Sequence, residues 1–244
     1  RQGPGVDLAL RDPAASQKPL ERTQGVQPRA MASAELLAIG LRDGRLLLVE
    51  PSTGEARLTI LSQHRYVNCV ALSPDGSLVA SASEDGSWKL WDGTTGSEIL
   101  WKRGHDGEGQ CVCDVESDEG FWEAIEPACQ LVGHADTVWA IAFSACGRRV
   151  ATGGADRSVM VWDSATGALQ LKLSDCLTSV RSISFSSDGG RVASGDDEGN
   201  VYVWDARTGA IVQVLPNEAS KGVLAVRFVD GEEGGGKRIA SGGW

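Results

Sequence analysis

Long apolar runs are missing from this sequence. No stretch approaches the roughly 18 consecutive apolar residues of a membrane-spanning helix, so none is predicted. No charged-then-apolar leader opens the chain, which leaves secretion without support. The chain begins with Arg1 instead of Met, as a fragment or a processed form does. An excess of positive charge is missing too: 33 Asp and Glu against 23 Lys and Arg leave a net charge of −10. A chain of that sign repels phosphate backbones and anionic lipid, which argues against nucleic-acid and membrane-surface partners. Aromatic residues are scarce at 6%, yet eight of the residues are Trp, so Trp is placed for a purpose.

The usual signatures of chemistry are also absent. The cysteines are Cys69, Cys111, Cys113, Cys129, Cys146 and Cys176, with no C-x-x-C pair. Their spacing outlines no disulfide framework, and reduced thiols in an intracellular compartment are expected, cytoplasmic or nuclear being open. No nucleophile elbow, H-E-x-x-H or EF-hand pattern occurs. "GEEGGGKR" at 231–238 satisfies G-x-x-x-x-G-K, but Arg238 stands where a magnesium-binding Ser or Thr is needed. The segment also joins two predicted strands and opens no helix, so it reads as a Gly-rich hairpin loop. His105, Cys111, Cys113, Cys129 and His134 match no common zinc spacing. No cofactor and no metal are expected.

What the sequence does contain is repetition. "VASASEDGSWKLWD" (79–92), "VATGGADRSVMVWD" (150–163) and "VASGDDEGNVYVWD" (192–205) are close copies. Trp162 and Trp204 are 42 residues apart, and Trp91 precedes Trp162 by 71, which is 42 plus 29. Within each copy, short alternating runs are broken by Asp-Gly and Thr-Gly turns. That pattern predicts four antiparallel strands joined by hairpins. A period near 42 falls in the ~40–45 range of four-stranded propeller blades.

These features together resemble the WD40-repeat family, and the resemblance covers 35–244 apart from one insertion. It rests on Trp91-Asp92, Trp162-Asp163 and Trp204-Asp205, on the turns at 73–76, 144–147 and 186–189, and on Gly133-His134. The resemblance implies an all-β propeller and hydrogen-bonded tetrads. In the second blade the tetrad is His64, Ser81, Asp85 and Trp91. In the third it is His134, Thr152, Asp156 and Trp162. The fourth departs, keeping Ser194 and Trp204 but placing Asp175 and Glu198 where His and Asp are expected. The first keeps Asp43 with Val49 in place of Trp. A buried indole, hydroxyl and imidazole must all find partners, so these residues read as packing and not as a catalytic dyad. Acid–base chemistry by His would then fall to His105, and the chain is expected not to be an enzyme.

Residues 1–30, with Pro4, Pro13, Pro19 and Pro28 among polar residues, read as a disordered or non-domain arm. Residues 31–244 hold about four to five blades, and the ring is expected to be incomplete within this chain. Exposed blade faces then invite self-association.

Two features escape the packing code. The inner strands "VNCVAL", "VWAIAF", "VRSISF" and "VLAVRF" carry Asn68, Trp139, Arg181 and Leu224 at one equivalent site near the channel mouth. Trp and Arg are preferred anchors of interfaces, and Tyr66 sits beside them. The second feature is an insertion at 105–133. Its segment 106–129 carries eight carboxylates and no Lys or Arg, interrupted by Phe121 and Trp122. These features, with the resemblance, point to a non-enzymatic scaffold for peptides or proteins, a basic surface among them. It would bind on the face bearing the d–a and b–c loops, which join consecutive blades and the second and third strands of one blade. The rival reading is a regulatory or substrate-recruiting domain of a larger enzyme or ubiquitin-ligase-type complex.

Overall fold

The computed structural model describes residues 36–62, 66–104, 133–216, 222–229 and 238–243. They belong to the unit Ser33–Trp244, which is distinct from Arg1–Ala32. Strands alternate with turns throughout, and no helix occurs among the described residues. The first sheet is β1 (Leu37–Gly40), β2 (Arg45–Val49) and β3 (Ala56–Leu61). The second is β4 (Val67–Leu72), β5 (Leu78–Ser83), β6 (Trp88–Asp92) and β7 (Glu98–Lys102). The third is β8 (Val138–Phe143), β9 (Arg149–Gly154), β10 (Val159–Asp163) and β11 (Leu169–Leu173). The fourth is β12 (Val180–Phe185), β13 (Arg191–Asp196), β14 (Val201–Asp205) and β15 (Ile211–Leu215). The fifth shows β16 (Val223–Val229) and β17 (Arg238–Gly243). Every pairing is antiparallel and joins strands consecutive in sequence, the order of an up-and-down propeller blade.

The repeated Trp-Asp dipeptide has a division of labour. The Trp points into the core, and the Asp closes the next hairpin. Asp92 Oδ1 accepts from the backbone N–H groups of Thr94 (2.8 Å) and Thr95 (2.7 Å). Asp163 does the same for Ala165 and Thr166, and Asp205 for Arg207 and Thr208. Those N–H donors hold all three carboxyls below their ordinary range.

The apolar residues gather in four separate cores, each lying between two consecutive sheets. Leu46, Leu48 and Ile60 meet Val67, Val79 and Trp91. Trp88 and Leu90 meet Val138, Val150 and Trp162, with the two indoles tilted at 5.3 Å between centroids. Val159, Val161 and Leu173 meet Val180, Phe185 and Trp204. Ala193 and Val201 meet Val223 and Val226. Close approach between sheets depends on a missing side chain. A Cβ at Gly153 would lie 2.5 Å from Val180 Cγ1, and one at Gly195 would lie 2.5 Å from Val223 Cγ1. Arg149 adds a polar clasp: its Nη1 donates to Ala206 O at 2.7 Å, its Nη2 to Gly189 O, and its guanidinium sits over Phe185.

One turn breaks its own rule. The hairpins β5–β6 and β13–β14 turn through Gly86 (φ 77°) and Gly199 (φ 96°), but β9–β10 turns through Arg157 at φ 63°. A side chain in the left-handed region costs roughly 1–2 kcal/mol. Arg157→Gly is therefore expected to raise stability by about 1 kcal/mol in equilibrium denaturation, even though it removes a side chain.

Candidate functional site

The tetrad residues are placed differently in each sheet. In the third, Trp162 Nε1 donates to Thr152 Oγ1 at 2.8 Å, and Thr152 Oγ1 lies 2.8 Å from His134 Nε2. His134 Nδ1 faces Asp156 at 3.0 Å, and Asp156 also accepts from Ala135 N and Ser158 Oγ. Trp162, Thr152 and His134 are fully buried. Gly154 makes room, since a Cβ there would sit 2.8 Å from His134 Nδ1. Burial works to raise the Asp156 carboxyl, but the hydrogen bond and charge of His134 outweigh it and lower the pKa to about 2.

In the second sheet Trp91 Nε1 donates to Ser81 Oγ at 2.9 Å, and Asp85 accepts from Ser87 N. His64 lies outside the described residues. In the first sheet Asp43 pairs with Arg45 at the surface, 2.7 Å from Nη2.

The fourth sheet corrects the sequence alignment. Trp204 Nε1 donates to Ser194 Oγ at 2.9 Å, but Asp175 and Glu198 are exposed and take no part. Cys176 occupies the imidazole's place, buried, with Sγ 3.9 Å from Ser194 Oγ. The physical reason lies across the sheet. Asp196, buried, stands where the third sheet has Gly154, at the position where even a Cβ would crowd the imidazole. Asp196 accepts from Glu198 N, Asn200 N and Asn200 Nδ2, while Tyr202 stacks on Trp204 and its hydroxyl accepts from Leu177 N.

The thiols diverge in the same way. Burial pushes Cys176 up to about 12 against the hydrogen bond from Ser194, and burial also raises Cys69. Cys146 is exposed at the β8–β9 turn, where the equivalent turns carry Asp75 and Asp188. Its hydrogen bond with the Ser144 hydroxyl, then the backbone N–H of Arg148, lowers its pKa. A larger thiolate fraction on an exposed group reacts faster. N-ethylmaleimide at neutral pH should label Cys146 well before Cys69 or Cys176, read by peptide mass spectrometry. Equal rates at Cys146 and Cys176 would contradict this placement.

The proposed contact residues sit at the ends where the inner strands begin. Arg181 lies over the Trp139 ring at 4.2 Å, and its Nε donates to Asp197 Oδ1 at 2.7 Å. Asn68 Nδ2 donates to Val138 O at 3.1 Å, tying β4 to β8. Tyr66 and Leu224 are exposed, at 41% and 45%. Packing therefore engages Asn68 and Arg181 more than their unrelated chemistry suggested. Phe121, Trp122, the insertion up to residue 132 and the cysteines within it lie outside the described residues, as does 231–237 of the Gly-rich loop. Among the described residues no cluster of metal-binding side chains occurs, and no helix is long and apolar enough to cross a membrane.

Comparison with known proteins adds three repeat matches. The family described as WD domain, G-beta repeat matches residues 55–92, 125–163 and 168–205. The first and third segments begin at or just before the outermost strand of one sheet and end with the third strand of the next. Similar proteins include an Arabidopsis thaliana Notchless protein homolog, 41% identical over 95 residues, which are 37% of this chain and 19% of that protein. Transcription initiation factor TFIID subunit 5 of Arabidopsis thaliana is 30% identical over 115 residues, 45% of this chain and 16% of that protein. Serine-threonine kinase receptor-associated protein of Gallus gallus is 41% identical over 69 residues, 28% of this chain and 20% of that protein. The matched part thus spans a fifth or less of each of these relatives.

Proposed function

This chain belongs to the WD40-repeat family, and from that premise we propose that it is a non-enzymatic scaffold. It binds peptides or protein partners on the face where the inner strands begin. The observation that carries the reading is the Trp139–Arg181 stack, flanked by exposed Tyr66 and Leu224. An aromatic ring and a guanidinium held together at a surface are a pre-ordered anchor, because the entropy of fixing them is spent before a partner arrives. The names of two relatives fit such a role: one is a subunit of an initiation factor and one is receptor-associated. The same relatives, being longer, keep open the reading of a recruiting domain within a larger complex.

The eight carboxylates at 106–129 add a long-range attraction for a basic partner surface. That attraction acts over about 8 Å at physiological salt and raises the association rate more than the final affinity.

The test compares partners captured by the native protein with those captured by Trp139→Ala and by Arg207→Ala on the opposite face. Loss with Trp139→Ala and retention with Arg207→Ala is expected. For a captured partner, replacing 106–129 by a Gly/Ser linker should flatten the dependence of on-rate on salt. Capture that is indifferent to Trp139 would sink the reading.

A further inference from the structure

The inner strands β4, β8, β12 and β16, together with β1 of the first sheet, line one cavity of about 470 Å³. That volume lies in the ~300–1,000 Å³ range of ligand pockets. Most residues lining it are apolar and many are small, as at Ala71, Ala140 and Ala142, although the surface they present to the cavity is more polar than apolar. Two described side chains in the wall carry charge, Arg181 and Arg227, and both are cations. No carboxylate lines it among the described residues. In a chain of net charge −10, a wall with two positive charges runs against the background.

Among the described residues Arg181 is already ion-paired with Asp197, which lies outside the cavity lining, whereas Arg227 is not ion-paired. Arg181 is held by Trp139 below and by Asp197 at its Nε, and its two Nη groups have no partner among the described residues. Arg227 is exposed and makes no ion pair with a described residue. Its charge reaches Cys69 on β4. The nearby hydroxyls are engaged within the wall: Ser182 Oγ donates to Val223 O, and Ser184 Oγ donates to Phe185 O and accepts from Phe228 N. That last bond sets Arg227 about level with Ser184, three residues along from Arg181. At ~3.3 Å per residue their backbone positions are offset by roughly 10 Å along the strands.

We propose that this channel receives acidic side chains of a partner peptide, with Arg181 at the mouth and Arg227 deeper as their counter-charges. Guanidinium binds carboxylate through short, charge-assisted hydrogen bonds. The proposal rests on the reading that partners bind this face. The insertion's carboxylates repel an acidic peptide on approach, so the partner pairs its acidic segment with a basic surface that the insertion attracts.

The probe is a random peptide library displayed on phage and selected on the immobilised full chain. Enriched peptides are expected to be rich in Asp and Glu. Their Kd, measured by calorimetry, should rise at least about tenfold in Arg181→Gln and in Arg227→Gln, and on Asp-to-Asn or Glu-to-Gln exchange in the peptide. Arg227→Lys keeps the charge and should keep most of the affinity, and thermal melts of each variant guard against misfolding. Neutral or basic peptides that need Trp139 but ignore Arg227 would overturn the acidic ligand and leave the face reading intact. Acidic peptides indifferent to both arginines would overturn the channel site. Enrichment of nothing would overturn both.

Discussion

Trp162→Ala is expected to cost about 3–5 kcal/mol, and Trp204→Ala measurably less. Both indoles are fully buried and each donates to one hydroxyl. The difference lies in what stands behind the hydroxyl. Behind Thr152 are His134 and Asp156, so losing Trp162 opens a cavity and also loosens a chain of buried polar groups. Behind Ser194 is Cys176, a weak partner at 3.9 Å that loses little. Denaturant midpoints of the two variants decide. Equal or reversed costs would mean that the tetrad adds nothing beyond the volume of its ring.

The second large effect is an acid dependence centred on Asp156. Its carboxyl is lowered from 3.8 to about 2. A depressed carboxyl stabilises the fold above its unfolded value and loses that contribution as pH falls through the folded value. The contribution is therefore full above about pH 4 and is lost towards pH 2. At ~1.36 kcal/mol per pKa unit it amounts to roughly 2 kcal/mol. Other carboxylates also titrate in this window, so the useful quantity is a difference between proteins. Asp156→Asn should be less stable than the native protein at pH 5, and the gap should shrink by about 2 kcal/mol by pH 2. A gap that stays constant would show that the His134–Asp156 contact is electrostatically idle.

The blades were legible because their code is local. Alternation, Asp-Gly turns and the Trp-Asp dipeptide act within a few residues, and the strands from β1 to β17 lie close to where those signals put them. The matched family repeats and the all-β fold agree with that reading. The register of the fourth sheet was legible too, though it was misread. Trp204 lies 28 residues after Cys176, as Trp162 does after His134, and counting with that spacing reaches Cys176 and not Asp175. Why a Cys belongs there was not legible. The answer is Asp196, which stands where the third sheet has Gly154, at the position where even a Cβ would crowd the imidazole. Arg149 and Asn68 escaped for a related reason. Each bonds to backbone carbonyls of a neighbouring blade, and a carbonyl leaves no trace in sequence. The positive φ of Arg157 shows only by comparison with Gly86 and Gly199 at the same phase.

Each of the four cores joins only two consecutive sheets, so the described residues form a series of units coupled neighbour to neighbour. In such a series each unit is steadied by its immediate neighbours, and local opening need not involve the rest. The third sheet is packed on both sides and contains the His134–Thr152–Trp162 chain. Its amides in β9 and β10 should exchange with deuterium most slowly. Protection should fall through the second and fourth sheets and be least in β1 and β17. Substituting Trp162 should then speed exchange in the third sheet and its two neighbours while leaving β16 and β17 near their native rates, so that loss of order spreads by one interface at a time.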